Sequence, residues 1–151
     1  MRRLFVTVLL LAAPTALSAP STPLQTVKYR QTEMKLLGGH MKALGAIVKG
    51  ESDRVSDVLM HAEAVAALSK TVGAMFPDGT GPGPGIETES KAEIWTQKEK
   101  FAAAVKALED SSAALVEAAK SNDPAKVKAA AGTVGQACGD CHDAFKVDDA
   151  H

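Results

Sequence analysis

The stretch VKYRQTEMKLLGGHMKALGAIVKG, residues 27–50, repeats apolar side chains with the period of a helix that packs against other helices. Its apolar stripe consists of Val27, Met34, Leu37, Met41, Leu44 and Val48. Steps of three, four and seven residues are typical of bundle helices. Gly50 stands where a glycine commonly ends a helix. The stretch therefore predicts one long amphipathic helix with an apolar face directed at partner helices.

Three further segments show the same pattern and predict three further helices. The second helix is expected over residues 52–72, with Ser52 as its N-cap. The third is expected from Ser90 or Lys91, with an apolar stripe that reaches Leu115. The fourth is expected over residues 124–145, because the Asp-Pro pair at 123–124 combines an N-cap residue with proline at the first helical position. Few aromatic residues and many alanines also favour helices over sheets.

The connections between these segments determine how the helices are arranged. Two connections, near residue 50 and over residues 121–123, are short, and short connections join antiparallel neighbours. The third, over residues 74–89, is rich in Gly and Pro and is not expected to be helical. We therefore predict an all-α, antiparallel up-down-up-down four-helix bundle over residues 20–151. In this topology Met34 and His142 lie near the same pole of the bundle.

Residues 1–19 are predicted to be a secretory signal peptide and not part of the fold. Arg2 and Arg3 precede a short apolar run, and small residues surround a cleavage site near Ser18 or Ala19. No other stretch is apolar enough to span a bilayer, so we expect an exported, periplasmic protein without stable membrane insertion. Without these two arginines, 15 of the 17 Lys and Arg residues remain, fewer than the 18 Asp and Glu residues. This acidic balance argues against nucleic-acid binding.

The stretch QACGDCHDAF, residues 136–145, contains the only two cysteines, Cys138 and Cys141, followed by His142. Three kinds of site use such a pattern: a redox dithiol, a zinc site and a covalently attached haem. A thioredoxin-like dithiol lies at a helix N-terminus after a strand, whereas these cysteines lie late in a helix. A zinc site needs three or four protein ligands, and no second cluster with ligand spacing is present. Positions i, i+3 and i+4 share one helical face, which suits two thioethers and an iron-binding imidazole.

CGDCH is accompanied by VKYRQTEM in the first helix, FPDGTG in the loop, EIW at residues 93–95 and DAF after the histidine. With these motifs the chain resembles the class II cytochromes c, a family that includes cytochrome c-prime. The resemblance extends over residues 27–145. It implies one haem c, attached through Cys138 and Cys141, with His142 as an axial ligand of the iron.

The same resemblance implies further residues and partners near the haem. Arg30 and Gln31 match a pair that lies against the haem propionates, and Glu89 falls at a loop position that approaches the haem edge. Lys146 is a departure, because many members have arginine shortly after the histidine. The resemblance also implies redox partner proteins and a capacity to form homodimers.

The sixth coordination position of the iron separates two functions within the family. In some members a methionine of the first helix ligates the iron and the protein carries one electron; here that residue is Met34. In other members the position is open behind an apolar side chain and binds small gases such as nitric oxide or carbon monoxide. The Met-Lys pair at residues 34–35, after Arg-Gln, and the run that follows resemble the methionine-ligated members, which favours the first interpretation, a one-electron carrier and not an enzyme. The alternative is a five-coordinate, gas-binding protein in which Met34 is a non-ligating wall.

A third interpretation of the CGDCH motif is a thiol oxidoreductase that uses Cys138 and Cys141.

Several residues outside this motif are given less specific roles. His40 and His61 flank the apolar stripes and are expected at the surface or at its boundary. Phe76 and Trp95 are expected to pack near the Gly/Pro-rich loop, because aromatic side chains mostly serve the core.

Overall fold

The computed structural model describes residues 20–147, in which four long helices form a bundle. The helices are α1 (Pro23–Val48), α2 (Val58–Ser69), the short α3 (Glu93–Thr96), α4 (Lys98–Lys120) and α5 (Pro124–Phe145), with 3₁₀ turns at Val55–Asp57 and Gly73–Met75. The described residues contain no β-strand, so the predicted all-α four-helix bundle is confirmed. The predicted signal peptide, residues 1–19, lies outside the described residues. Between residues 20 and 147, no helix has both the length and the hydropathy needed to cross a bilayer.

Local sequence signals fix two of the helix ends as predicted. Gly50 has a φ of +75°, and its N–H donates to the carbonyl of Ile47 at 3.0 Å. The N–H of Glu51 donates to the carbonyl of Ala46 at 2.9 Å, which completes the glycine-type end of α1. At the start of α5, the Asp123 carboxylate accepts from two backbone N–H groups of the first turn. These two caps fix the length of the helices that carry Met34 and the CGDCH motif.

The third helix starts later than the sequence indicates. It was expected from Ser90 or Lys91, but α4 begins at Lys98 and is preceded by the single turn α3. Gln97 separates the two with φ −120° and ψ 50°, which are not helical angles. The apolar periodicity predicted one continuous helix because Ile94 is buried and continues the apolar stripe of α4. Ile94 nevertheless belongs to the separate turn α3.

The second helix is shorter than predicted at both ends. It was expected over residues 52–72 but spans Val58–Ser69, with 3₁₀ turns on either side. Ser52 is therefore not its N-cap; its hydroxyl accepts from the N–H of Arg54 within the preceding turn. Val55, which fits the stripe, is 65% exposed. The Gly/Pro-rich loop also contains one helical turn at its start, where none was expected.

The core lies between α2, α4 and α5, with α1 packed against α2 and α5. Leu44 of α1 and Leu115 of α4 are completely buried. Ser69 and Ser112 are also fully buried, and their hydroxyls are hydrogen-bonded to each other at 2.8 Å, which joins α2 to α4. Such a pair satisfies the polar groups that burial would otherwise leave without a partner.

Aromatic side chains connect the helices at one pole of the bundle. The ring of Phe76, which follows α2, lies 4.9 Å from that of Phe101 near the start of α4. The Phe101 ring lies 5.4 Å from that of Phe145 at the end of α5, and both contacts are edge-to-face. The guanidinium of Arg30 on α1 lies 4.5 Å from the centre of the Phe76 ring. We call these four residues the aromatic pole.

Candidate functional site

The two cysteines and the adjacent histidine lie in the last two turns of α5. Cys138 and Cys141 are half-buried and pack against the hydrophobic core. Both are free cysteines, with no disulfide between them. His142 is exposed, three residues before Phe145. The two thiols and the imidazole therefore follow one another on neighbouring positions of a helix whose end is held by the aromatic pole.

The surroundings of the two thiols disfavour their thiolate form. Burial raises the pKa of the Cys138 thiol, and burial together with the charge of Cys138 raises the pKa of the Cys141 thiol. Catalytic dithiols instead need a lowered pKa, because the thiolate is the nucleophile. The environment of these cysteines therefore argues against the thiol oxidoreductase interpretation.

Met34 and the cysteine motif lie at comparable depths in the bundle. Met34 is four residues from Arg30, and Cys141 is four residues from Phe145, so each lies about 6 Å from the aromatic pole along its helix axis. Met34, Cys138 and Cys141 also pack against the same hydrophobic core. The side chain of Met34 is half-buried. Helices α1 and α5, which carry Met34 and the cysteine motif, are in contact.

The donor set on α5 fits haem c better than it fits a metal ion alone. Two thiols at i and i+3 with an imidazole at i+4 form one continuous helical surface. Space is open beside Gly135 and Gly139, where an added Cβ would meet no atom within 4 Å. Within residues 20–147 no group of three or more His, Cys, Asp and Glu side chains is placed to hold a metal ion, which argues against the zinc interpretation.

Arg30 is a buried cation that holds the Gly/Pro-rich loop. It is 3% exposed, and its two terminal nitrogens donate to oxygens of the loop. One nitrogen donates to the carbonyl of Met75 at 3.3 Å and to Oγ1 of Thr80 at 3.2 Å. The other donates to the carbonyl of Thr80 at 3.2 Å and to Oγ1 of Thr88 at 2.9 Å. One side chain of α1 therefore fixes three separate points of the loop.

The charge of Arg30 has no carboxylate partner among residues 20–147. Its guanidinium faces the rings of Phe76 and Trp95, the latter at 5.9 Å, and the loop oxygens. Burial lowers the pKa of Arg30, but guanidinium stays charged in proteins. Its role as a loop anchor was not predicted, and neither were Thr80 and Thr88 as its acceptors.

Glu89 and the residues after α5 connect the loop to the end of the motif helix. The N–H of Val147 donates to the carbonyl of Glu89 at 2.7 Å, and the N–H of Lys91 donates to the carbonyl of Phe145 at 2.8 Å. The Lys146 ammonium lies 3.3 Å from the Glu89 carboxylate. Glu89 itself is exposed, as is Gln31 on α1. The loop is thus fastened both to α1 by Arg30 and to the residues just after the cysteine motif.

The chain is similar to known proteins along nearly all of its described length. Residues 25–146 match the family model described as Cytochrome C'. A cytochrome c′ from Pararhodospirillum photometricum is 39% identical over 127 residues, covering 83% of this chain and 99% of that protein. A cytochrome c′ from Rhodospirillum rubrum is 34% identical, with 97% and 99% covered. The solved nitric oxide complex of a variant of cytochrome c prime from Alcaligenes xylosoxidans has a TM-score of 0.77 at 31% identity, covering 85% and 98%.

Proposed function

Because this chain belongs to the cytochrome c′ family, we propose that it binds small diatomic gases, such as nitric oxide or carbon monoxide, at a five-coordinate haem iron. Members of this family carry one covalently attached haem c, and the chain has the two cysteines that the attachment requires. The observation that supports gas binding is the solved nitric oxide complex of a variant of cytochrome c prime from Alcaligenes xylosoxidans, which matches this chain over 98% of its own length. The proposal replaces one-electron carriage as the leading interpretation and describes a binding protein, not an enzyme.

Three residues of α5 are proposed to hold the haem. Cys138 and Cys141 would form the two thioether bonds, and the imidazole of His142 would be the axial ligand. When bound, the haem supplies an iron whose sixth position accepts a gas molecule. The aromatic pole keeps the end of α5 in place through Phe145, so the imidazole is presented from a fixed backbone.

An apolar face of α1 is proposed to form the opposite side of the site. Leu37 is buried, and Met34 and Met41 are half-buried against the core. His40, the only imidazole of α1, is instead held by His61 at 2.9 Å between their Nδ1 atoms. At the level of α1 that corresponds to the cysteine motif, the thioether sulfur of Met34 is therefore the one soft ligand atom that could reach an iron. An apolar wall favours a neutral diatomic molecule over an anion, because a buried charge without a partner is costly.

Arg30, Gln31 and Glu89 are proposed to lie around the haem edge. Arg30 is a buried cation without a carboxylate partner among the described residues, and a haem propionate is an anion that suits it. Gln31 follows it on the exposed side of α1. Glu89 is tied to Lys146 beyond the end of α5, on the loop that Arg30 anchors.

The spin state of Met34→Leu tests the proposal. Leucine has nearly the volume of methionine, so packing is preserved while the thioether is removed. We expect high-spin ferric and ferrous spectra in the wild type, an immediate shift when carbon monoxide is added to the ferrous protein, and the same spin state in Met34→Leu. The carbon monoxide affinity should change by no more than about threefold, equivalent to about 0.6 kcal/mol. Optical titration of both proteins measures this.

Met41→Leu is the matched control, since it makes the same substitution two turns deeper in α1. A low-spin wild type that becomes high-spin only in Met34→Leu would identify Met34 as an iron ligand. That result would contradict the open sixth position and restore electron carriage as the function. The Met41→Leu variant should match the wild type in either case.

We further propose that the protein is exported. We also propose that it forms a homodimer, with α1 and α2 as the interface. Exposed apolar side chains on these helices are Tyr29, Leu36, Leu59 and Met60, together with Leu24 in the first turn of α1. An exposed apolar surface is typical of an interface. Leu36→Glu should convert the dimer into a monomer in sedimentation velocity, because it would bury a charge, whereas Leu24→Glu in the first turn of α1 should remain dimeric. Equal masses for Leu36→Glu and the wild type would contradict this interface.

A further inference from the structure

Two imidazoles from different helices meet on the flank of the bundle. His40 of α1 and His61 of α2 approach with their Nδ1 atoms 2.9 Å apart. Their ring centres are 5.2 Å apart and the ring planes are inclined by 61°. Both side chains are half-buried, so one edge of the pair is open to solvent. The sequence predicted positions at the surface or at its boundary for these residues, but not their contact.

The contact places two nitrogen atoms that can bind metal ions, Nδ1 of His40 and Nδ1 of His61, next to each other. In a neutral imidazole one ring nitrogen carries the proton and the other accepts, so one of the two Nδ1 atoms is a donor and its partner an acceptor. Within residues 20–147 the structure shows no other hydrogen bond to either ring. Each ring is thus oriented by the other, and the alternative tautomer would offer both Nδ1 lone pairs to a common cation.

The separation of the two nitrogens suits a particular coordination geometry. With metal–nitrogen bonds of about 2.0–2.1 Å, two donors 2.9 Å apart subtend about 90° at a metal ion. This is the angle between neighbouring ligands in square-planar and octahedral shells, which Cu²⁺ and Ni²⁺ adopt with nitrogen and oxygen donors. A tetrahedral ion such as Zn²⁺ would place the same atoms about 3.3 Å apart. Small rotations of the two rings would direct both lone pairs to one point, since this side-chain torsion is broad.

We propose that His40 and His61 form a two-histidine site for a divalent cation of the Cu²⁺ or Ni²⁺ type. Water would complete the coordination shell, because no group of three or more candidate ligands exists within the described part of the chain. Asp57, one turn before His61, is in electrostatic contact with it, but its carboxylate is paired with Arg54 at 2.8 Å. The ion would link α1 to α2 on a surface separate from the haem ligands of α5.

Titration of untagged holoprotein with Ni²⁺ in a calorimeter tests the site, since Ni²⁺ does not exchange electrons with the haem. We expect one ion per chain in the wild type, together with a rise in the unfolding temperature. His40→Gln and His61→Gln should each weaken binding at least tenfold, because each removes one of two protein ligands while keeping a polar side chain of similar size. The optical spectrum of the haem verifies that both variants are folded.

His151→Gln is the matched control, because His151 is the only other histidine apart from the proposed haem ligand. It should bind Ni²⁺ as the wild type does. The proposal is overturned if the double variant His40→Gln/His61→Gln retains wild-type affinity, or if the wild type shows no binding at millimolar Ni²⁺. It is equally overturned if His151→Gln alone abolishes binding.

Discussion

Replacing both cysteines in Cys138→Ser/Cys141→Ser should abolish covalent haem attachment. Acidified butanone protonates the axial imidazole and breaks the iron–nitrogen bond, so only thioether bonds keep haem with the protein during extraction. In the wild type the haem colour should stay in the aqueous phase, and in the double variant it should move completely to the organic phase. Absorbance of the two phases measures this directly.

The single variants provide the internal control for this experiment. Cys138→Ser and Cys141→Ser each keep one thiol, so each should keep its haem through one thioether during extraction. A thiol assay on unfolded protein should find no reactive thiol in the wild type. Retention of haem by the double variant would contradict attachment at these cysteines. Two reactive thiols in the unfolded wild-type holoprotein would instead support a free dithiol.

The bundle was predictable because its helices are encoded by local patterns. Gly50 and Asp123 mark helix ends by their own backbone or side-chain chemistry, which needs no tertiary contact. The break at Gln97 was not predictable from periodicity, since Ile94 continues the apolar pattern across a non-helical residue. Periodicity reports which side chains are buried, and it does not reveal whether one helix or two bury them.

The residues of the candidate site likewise divide into those that a local sequence motif reveals and those that only the folded chain brings together. The CGDCH motif is recognisable because Cys138, Cys141 and His142, the proposed haem-binding residues, lie within five positions of the sequence. The acceptors of Arg30 are not, because Thr80 and Thr88 lie in a loop that reaches Arg30 only after the chain has folded back. The contact between His40 and His61 likewise depends on how α1 and α2 are aligned, which tertiary packing sets. Long-range contacts of this kind leave no periodic trace in the sequence.

Arg30→Met should destabilise the protein strongly. The substitution keeps an unbranched apolar stem but removes a guanidinium that makes four hydrogen bonds and faces the Phe76 ring. Buried acceptors that lose a charged donor are costly, so we expect a loss of about 3 kcal/mol in the free energy of unfolding. For a domain of this size that corresponds to a fall of about 10 °C in the unfolding temperature. Thermal unfolding of the holoprotein, followed by circular dichroism, measures it.

Arg54→Met separates this effect from the general loss of an arginine. Arg54 forms an exposed ion pair with Asp57 at 2.8 Å, and such pairs contribute less than about 1 kcal/mol. Hydrogen exchange should also become faster in the loop between Met75 and Thr88 in Arg30→Met, and stay unchanged there in Arg54→Met. If both variants unfold at the same temperature, the loop is held mainly by other contacts, such as the hydrogen bond from the Trp95 indole to the Pro77 carbonyl. Arg30 would then not be the main anchor of the loop, and only its proposed position beside a haem propionate would remain as its role.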